Sequence, residues 1–204
     1  MEKKNIRNPH FASSEGARVD ESYMLWIEEI KSRYKKTQIK AAVKVNAEQL
    51  FFNWQLGRDL VIRKAEERWG ASVVEQVSLD MKAAFPNSKG FSTTNLWNMK
   101  KWYLFYSRKD HAEKLHQLGG EIQGGEKQAV TKLHQLGGEF DEVRDTATEG
   151  AAFPLVFSFV PWRHHVDIIT KCKNIDEALF YIRKTIEKGW SRQALDNCLH
   201  ANLY

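Results

Sequence analysis

Residues 90–96 read GFSTTNL, and residues 189–195 read GWSRQAL. Both carry Gly, an aromatic, Ser, three variable positions and Leu. Each follows an amphipathic stretch and opens another. The chemistry of the two heptapeptides is the same. Gly adopts the positive φ that ends a helix or a tight turn. The aromatic packs back on the preceding helix, Ser caps the next one, and Leu, four residues on, is its first core residue. A helix, a Gly-containing turn and a second helix make a helix-turn-helix unit. The pattern predicts an all-α fold, a helical bundle with two helix-turn-helix-like units.

The helix opened by Ser92 carries the stronger signal. On a wheel of about 100° per residue, Leu96, Met99 and Tyr103 lie within about 40° of Ser92 and face the core. Thr94, Trp97, Asn98, Lys101 and Arg108 gather on the opposite side, with Thr93 nearby. From Phe91 to Lys109 there are four basic residues and no acidic one. Such a face suits DNA: Lys and Arg for phosphate or guanine, Asn for adenine, Thr for phosphate or a thymine methyl. Thr93, Thr94, Trp97 and Asn98 are expected nearest the bases. Lys100, Lys101, Arg108 and Lys109 are expected on phosphates. An outward Trp97 is costly unless it meets a partner or another helix. In the second unit Arg192 and Gln193 are the DNA candidates, on a nearly neutral face with Asp196, Asn197 and His200 that could equally meet protein.

Upstream, apolar residues fall at Tyr23, Trp26, Ile27, Ile30 and Tyr34, and resume at Ile39, Val43, Ala47, Leu50, Trp54 and Val61. Steps of three and four mark one helix face. They predict one very long helix, or two nearly continuous ones, from Asp20 as N-cap to about Arg68, ended by Gly70. Another helix follows from Ser72 to Pro86, with Val73, Val77 and Met81 inward. Beyond residue 150, helices are expected from Pro161, from near Asp176 to Gly189, and from Ser191 to about Asn202.

The chain has 204 residues and a net charge of +5. Charge is uneven: residues 1–109 carry +8, residues 110–150 carry −5 and residues 151–204 carry +2. Two basic regions flank an acidic, glycine-rich middle in which KLHQLGGE occurs twice, at 114–121 and 132–139. Gly119 and Gly120 are expected to break any long helix there. Four segments follow: a solvated tail over 1–19, an N-terminal helical unit over 20–109, a linker over 110–150 and a C-terminal helical unit over 151–204. Basic regions point to a polyanion, most simply nucleic acid, or to plain solvated surface.

Composition excludes several classes. With 7 Trp, 11 Phe and 6 Tyr the chain has too many aromatics to stay unfolded in water. Cys172 and Cys198 are too few for a disulfide scaffold, so a reduced, cytoplasmic setting is expected. The apolar run at 151–160 is about half the length of a membrane span and contains Pro154. No catalytic constellation stands out: there is no glycine-rich phosphate loop and no G-x-S-x-G. Asp80-Met81-Lys82 and Glu29-Ile30-Lys31 lie on expected helices and read as surface charge. His116 and His134 sit at equivalent places in the octapeptides without a further soft ligand close by. His164 and His165 are neighbours that point apart on a helix and read as structural. No catalytic residue, metal or cofactor is expected.

Several stretches resemble the N-terminal domain of the YhcG family of bacterial proteins. They are residues 51–70, residues 73–106 and residues 161–199. The motifs that carry the resemblance are W-x-x-G-R from Trp54, K-G-F-S-x-x-N-L-W-x-M from Lys89 and G-W-S-R-x-x-L from Gly189. The resemblance implies a helical domain that binds DNA or assists assembly, usually followed by a PD-(D/E)-x-K nuclease domain and often encoded near restriction-modification or defence genes. This sequence ends at HANLY, residues 200–204, where that nuclease would begin. The expected function is therefore non-catalytic DNA binding. The alternative is a protein-interaction module that docks a nuclease or restriction subunit, or that self-associates through the long first helix.

Overall fold

The computed structural model describes residues 20–124 and 152–204. Every regular element among them is helical: α1 (Glu21–Ile62), α2 (Ala65–Trp69), α3 (Val73–Ala84), α4 (Thr93–Tyr106), α5 (Lys109–Gly124), a 3₁₀ turn (Leu155–Phe159), α6 (Trp162–Lys171), α7 (Ile175–Lys188) and α8 (Arg192–His200). The fold is all-α, as the sequence predicts. None of these helices is long and apolar enough to cross a membrane. The expected tail over 1–19 and the second octapeptide, with His134, lie outside the described residues.

The chain divides into two compact units, Met1–Ile39 and Lys40–Tyr204. In the first, Asp20 caps α1: its Oδ1 accepts from the Tyr23 backbone N–H at 2.9 Å and from the Ser22 hydroxyl at 2.7 Å. Both bonds favour the charged carboxylate and hold its pKa below the usual range. Tyr23, Met24, Leu25, Trp26, Tyr34 and Ile39 are exposed on this stretch of α1.

In the second unit α1 buries Ala47, Leu50, Trp54, Gly57 and Leu60. Ala47, Leu50 and Trp54 belong to the helix-periodic face read from the sequence, and Gly57 and Leu60 extend it. The helix breaks at Lys64, which takes a φ of +49°. α2 then ends at Gly70, with a φ of +92°. The expected pair of nearly continuous helices is therefore α1 and α2. α3 stops at Ala84, since the residue before Pro86 is driven out of helical geometry.

The main core joins the regions on either side of the middle segment. Trp54 of α1 meets Trp102 of α4 edge-on at 5.2 Å and Tyr103 at 4.9 Å. Trp102 in turn meets Phe157 at 5.2 Å and Trp162 at 5.1 Å. Gly57 permits the crossing of α1 on α4, because a Cβ there would run into the Met99 backbone carbonyl. The motif W-x-x-G-R is thus, through Trp54 and Gly57, a packing device.

The acidic middle differs from its expected reading. Gly119 and Gly120 do not interrupt α5, which continues to Gly124. Leu115 and Leu118 of the first octapeptide are buried in the main core. Lys114 pairs with Asp176 at 2.6 Å, and Glu121 with Arg183. Packing against the core and two ion pairs to α7 outweigh the backbone freedom of two glycines, a cost of about 1 kcal/mol each.

Candidate nucleic-acid interface

The repeated heptapeptide behaves as its chemistry requires. Ser92 Oγ accepts from the Asn95 backbone N–H at 3.2 Å, and Ser191 Oγ accepts from the Ala194 N–H at 3.2 Å. Leu96 and Leu195 are fully buried. Gly189 takes a left-handed φ of +61° at the end of α7, so only residues 189–191 separate α7 from α8. Gly90 has a φ of +129° but sits inside the longer connection 85–92, after α3 has ended. Its carbonyl accepts from Asn95 Nδ2 at 2.6 Å. Asn95 Oδ1 accepts from the Trp162 indole N–H at 2.8 Å. One carboxamide therefore ties the turn, α4 and α6 together.

The outer face of α4 carries Thr94, Trp97, Lys101 and Leu104, all exposed, with Arg108 beyond its end. Lys101 has no hydrogen bond or ion pair among the described residues. Arg108 lies 3.7 Å from Asp110, and both side chains are solvated. Lys109 opens α5 and is exposed. Thr93 is half-buried. Lys100 is drawn inward instead. Its ammonium bonds Glu66 of α2 and lies 5.2 Å from the Trp97 ring centroid. The same bond holds the Glu66 carboxyl below its usual pKa. Of the four basic residues on this stretch, Lys100 is the one paired with a carboxylate on another helix, whereas Arg108 pairs with nearby Asp110.

Arg192 bonds Asp167 of α6 through Nε at 2.9 Å, and Gln193 donates to Asn197 at 2.9 Å. Their helix, α8, packs on α6. The second set of candidates thus lies on a different helix from the α4 face, and its arginine already has a carboxylate.

A cleft of about 660 Å³ opens at the N-terminal end of α4. Thr94 and Asn98 of the expected set line it. So do Gln49, Phe52 and Asn53 of α1, Lys89 of the turn and Arg163 of α6. No Asp or Glu lines it. Lys89 and Arg163 have no ionic partner among the described residues. The first-turn N–H groups of Thr93 and Thr94 have no intrahelical acceptor, so the positive end of the α4 dipole adds to the field of the two cations. Asn53 is only 3% exposed, and its Nδ2 has no hydrogen-bond partner.

Sequence reasoning missed Gln49, Phe52, Asn53, Lys89 and Arg163 as site residues. One signal was available: Asn53 is a polar residue between Leu50 and Trp54 on an otherwise apolar face. Among the described residues no group of His, Cys, Asp and Glu is placed to hold a metal ion. His165 is buried with Nε2 against the Phe157 carbonyl at 3.2 Å, and burial drives its pKa down to about 3. His164 bonds the Trp190 carbonyl at 3.0 Å. Burial raises the Cys172 thiol to about 12, so it is a poor nucleophile.

A family model described as the DUF1016 N-terminal domain matches residues 29–204. The Escherichia coli (strain K12) protein named "Putative nuclease YhcG" is 28% identical over 142 residues, covering 69% of this chain and 34% of that relative. The match thus spans about a third of the relative's length. No solved structure matches the chain.

Proposed function

The chain belongs to the DUF1016 N-terminal domain family, and from that premise we propose that its helical body is a non-catalytic DNA-binding module that works beside a nuclease. One observation carries this reading. The exposed face of α4 and the cleft at its N-terminal end present Lys89, Lys101 and Arg163 without carboxylate partners, while the cleft lining holds no acidic side chain. A protein surface that is merely solvated intersperses charges of both signs. Here cations, carboxamides, hydroxyls and a helix N-terminus converge, which is the chemistry that phosphates and base edges require.

In this reading α3 and α4, and α7 and α8, act as helix-turn-helix-like pairs, with α4 as the element that meets DNA. Trp97, 38% exposed, packs against the sugar-phosphate surface rather than standing in water. The nuclease in the name of the Escherichia coli relative supports an acting partner that cuts the DNA this module holds. A restriction-type subunit in the bacterial cytoplasm is the class of partner proposed. The test is double charge reversal. Lys101→Glu with Arg108→Glu lowers duplex affinity by about tenfold or more and flattens its salt dependence; unchanged affinity and slope reject the interface.

The exposed apolar residues of α1 from Tyr23 to Ile39 favour a second reading, self-association or docking of a partner helix. Such an interface responds weakly to salt, whereas phosphate binding weakens steeply.

A further inference from the structure

We infer that the cleft at the N-terminal end of α4 is a receptor for one unpaired nucleotide of a DNA strand, with the base inside and its phosphate at the mouth. This inference rests on the DNA-binding reading and narrows it. The volume is the first argument. About 660 Å³ falls within the range of about 300–1,000 Å³ for sites that enclose a small molecule. A backbone phosphate alone fills only a small part of such a space.

The floor is the second argument. Asn53 is nearly fully buried there, yet its Nδ2 donor is unpaired. Buried amide donors are almost always satisfied. This one has almost no accessible surface, so the carboxamide turns toward the cleft for a ligand oxygen or ring nitrogen to complete it. A carboxamide offers a donor and an acceptor side by side, which matches the hydrogen-bonding edge of a base. That edge is free only when the base is unpaired and unstacked.

The walls are the third. Phe52 is exposed and meets Phe91 edge-on, with ring centroids 6.1 Å apart. Trp162 also belongs to the lining, its indole anchored to Asn95 at 2.8 Å. Aromatic faces of this kind take bases of any sequence by stacking. Lys89 and Arg163, with the Thr93 and Thr94 N–H groups, meet the phosphate at the rim. A paired, stacked base cannot reach Asn53; an overhang, a single strand or an extruded nucleotide can.

The experiment is fluorescence-anisotropy titration of the full chain with three labelled probes at one salt concentration: a blunt duplex, the same duplex with a single-stranded overhang, and a single strand. The overhang or single strand is expected to bind more tightly than the blunt duplex by about tenfold or more. Phe52→Ala and Asn53→Leu are expected to remove that preference, bringing the tailed and single-stranded probes to the affinity of the blunt duplex. Phe52 is exposed, so its variant keeps the test valid if Asn53→Leu perturbs folding. Displacement of the single strand by an excess of free deoxynucleoside monophosphate supports a nucleotide-sized receptor. Binding of the free nucleotide without binding of the strand contradicts the strand as its source. Equal affinity for blunt and tailed probes, insensitive to Phe52, overturns the cleft proposal and leaves the α4 interface standing. Failure of all three probes to bind overturns both.

Discussion

The Trp162 indole N–H donates to Asn95 Oδ1 at 2.8 Å, across 67 residues of sequence. The same side chain donates from Nδ2 to the Gly90 carbonyl at 2.6 Å. Asn95 therefore fixes the approach of α6 to the N-terminal turn of α4, and with it one wall of the cleft. Leucine has the same branched outline but neither bond. Asn95→Leu is expected to leave the Trp162 N–H and the Gly90 carbonyl unpaired and to destabilise the chain by about 1–3 kcal/mol. Urea denaturation measures this, and a shift of tryptophan emission reports the loosened indole.

Gly57 sets how closely α1 crosses α4. Gly57→Ala places a methyl group on the Met99 carbonyl. Neither backbone can yield without moving a whole helix, so a loss of about 1–3 kcal/mol is expected, against the gain in helix propensity that alanine otherwise brings. Thermal unfolding of the variant checks it; an unchanged or higher Tm would mean that the two helices separate freely.

Lys100 and Lys101 are adjacent but not equivalent. Lys100 is held by Glu66, while Lys101 is exposed without a partner among the described residues. Lys101→Ala is expected to reduce the salt slope of DNA binding by about one unit, as for one lost phosphate contact. Lys100→Ala should leave that slope unchanged. Isothermal or anisotropy titrations of both variants at several salt concentrations separate them.

Burial keeps His165 neutral, with a folded-state pKa of about 3. The unfolded chain binds its proton near pH 6.5. Between these values the unfolded state holds more protons, so stability falls as the pH falls below about 6.5. A loss of about 2 kcal/mol between pH 7 and pH 5 is expected from this group. Glu66 and Asp196 have lowered pKa values and titrate below that window. Denaturant midpoints across the window measure the effect, and His165→Gln should flatten it.

The local chemistry of the two heptapeptides was legible because it depends on near neighbours. Ser92 and Ser191 cap helices, and Leu96 and Leu195 are core residues, for reasons contained within a few positions. Trp102 was not read as core, although it is fully buried. A wheel centred on Ser92 puts it to one side. α4 is covered on more than one side, by α3 and by the aromatic cluster around Phe157, so a single apolar stripe understates its buried surface. Gly119 and Gly120 misled in the opposite sense, because local backbone cost was outweighed by the burial of Leu115 and Leu118. The cleft was legible only in part. Thr94 and Asn98 came from the helix wheel, but Asn53 and Arg163 stand 110 positions apart and meet only through the packing of Trp54, Trp102 and Trp162.

The most direct test of the account is the affinity of this chain for a labelled DNA duplex at about 50 mM and about 200 mM salt. The account predicts binding at the lower concentration that weakens by one or more orders of magnitude at the higher, as expected for several phosphate contacts. No binding at low salt, or an affinity indifferent to salt, would contradict it.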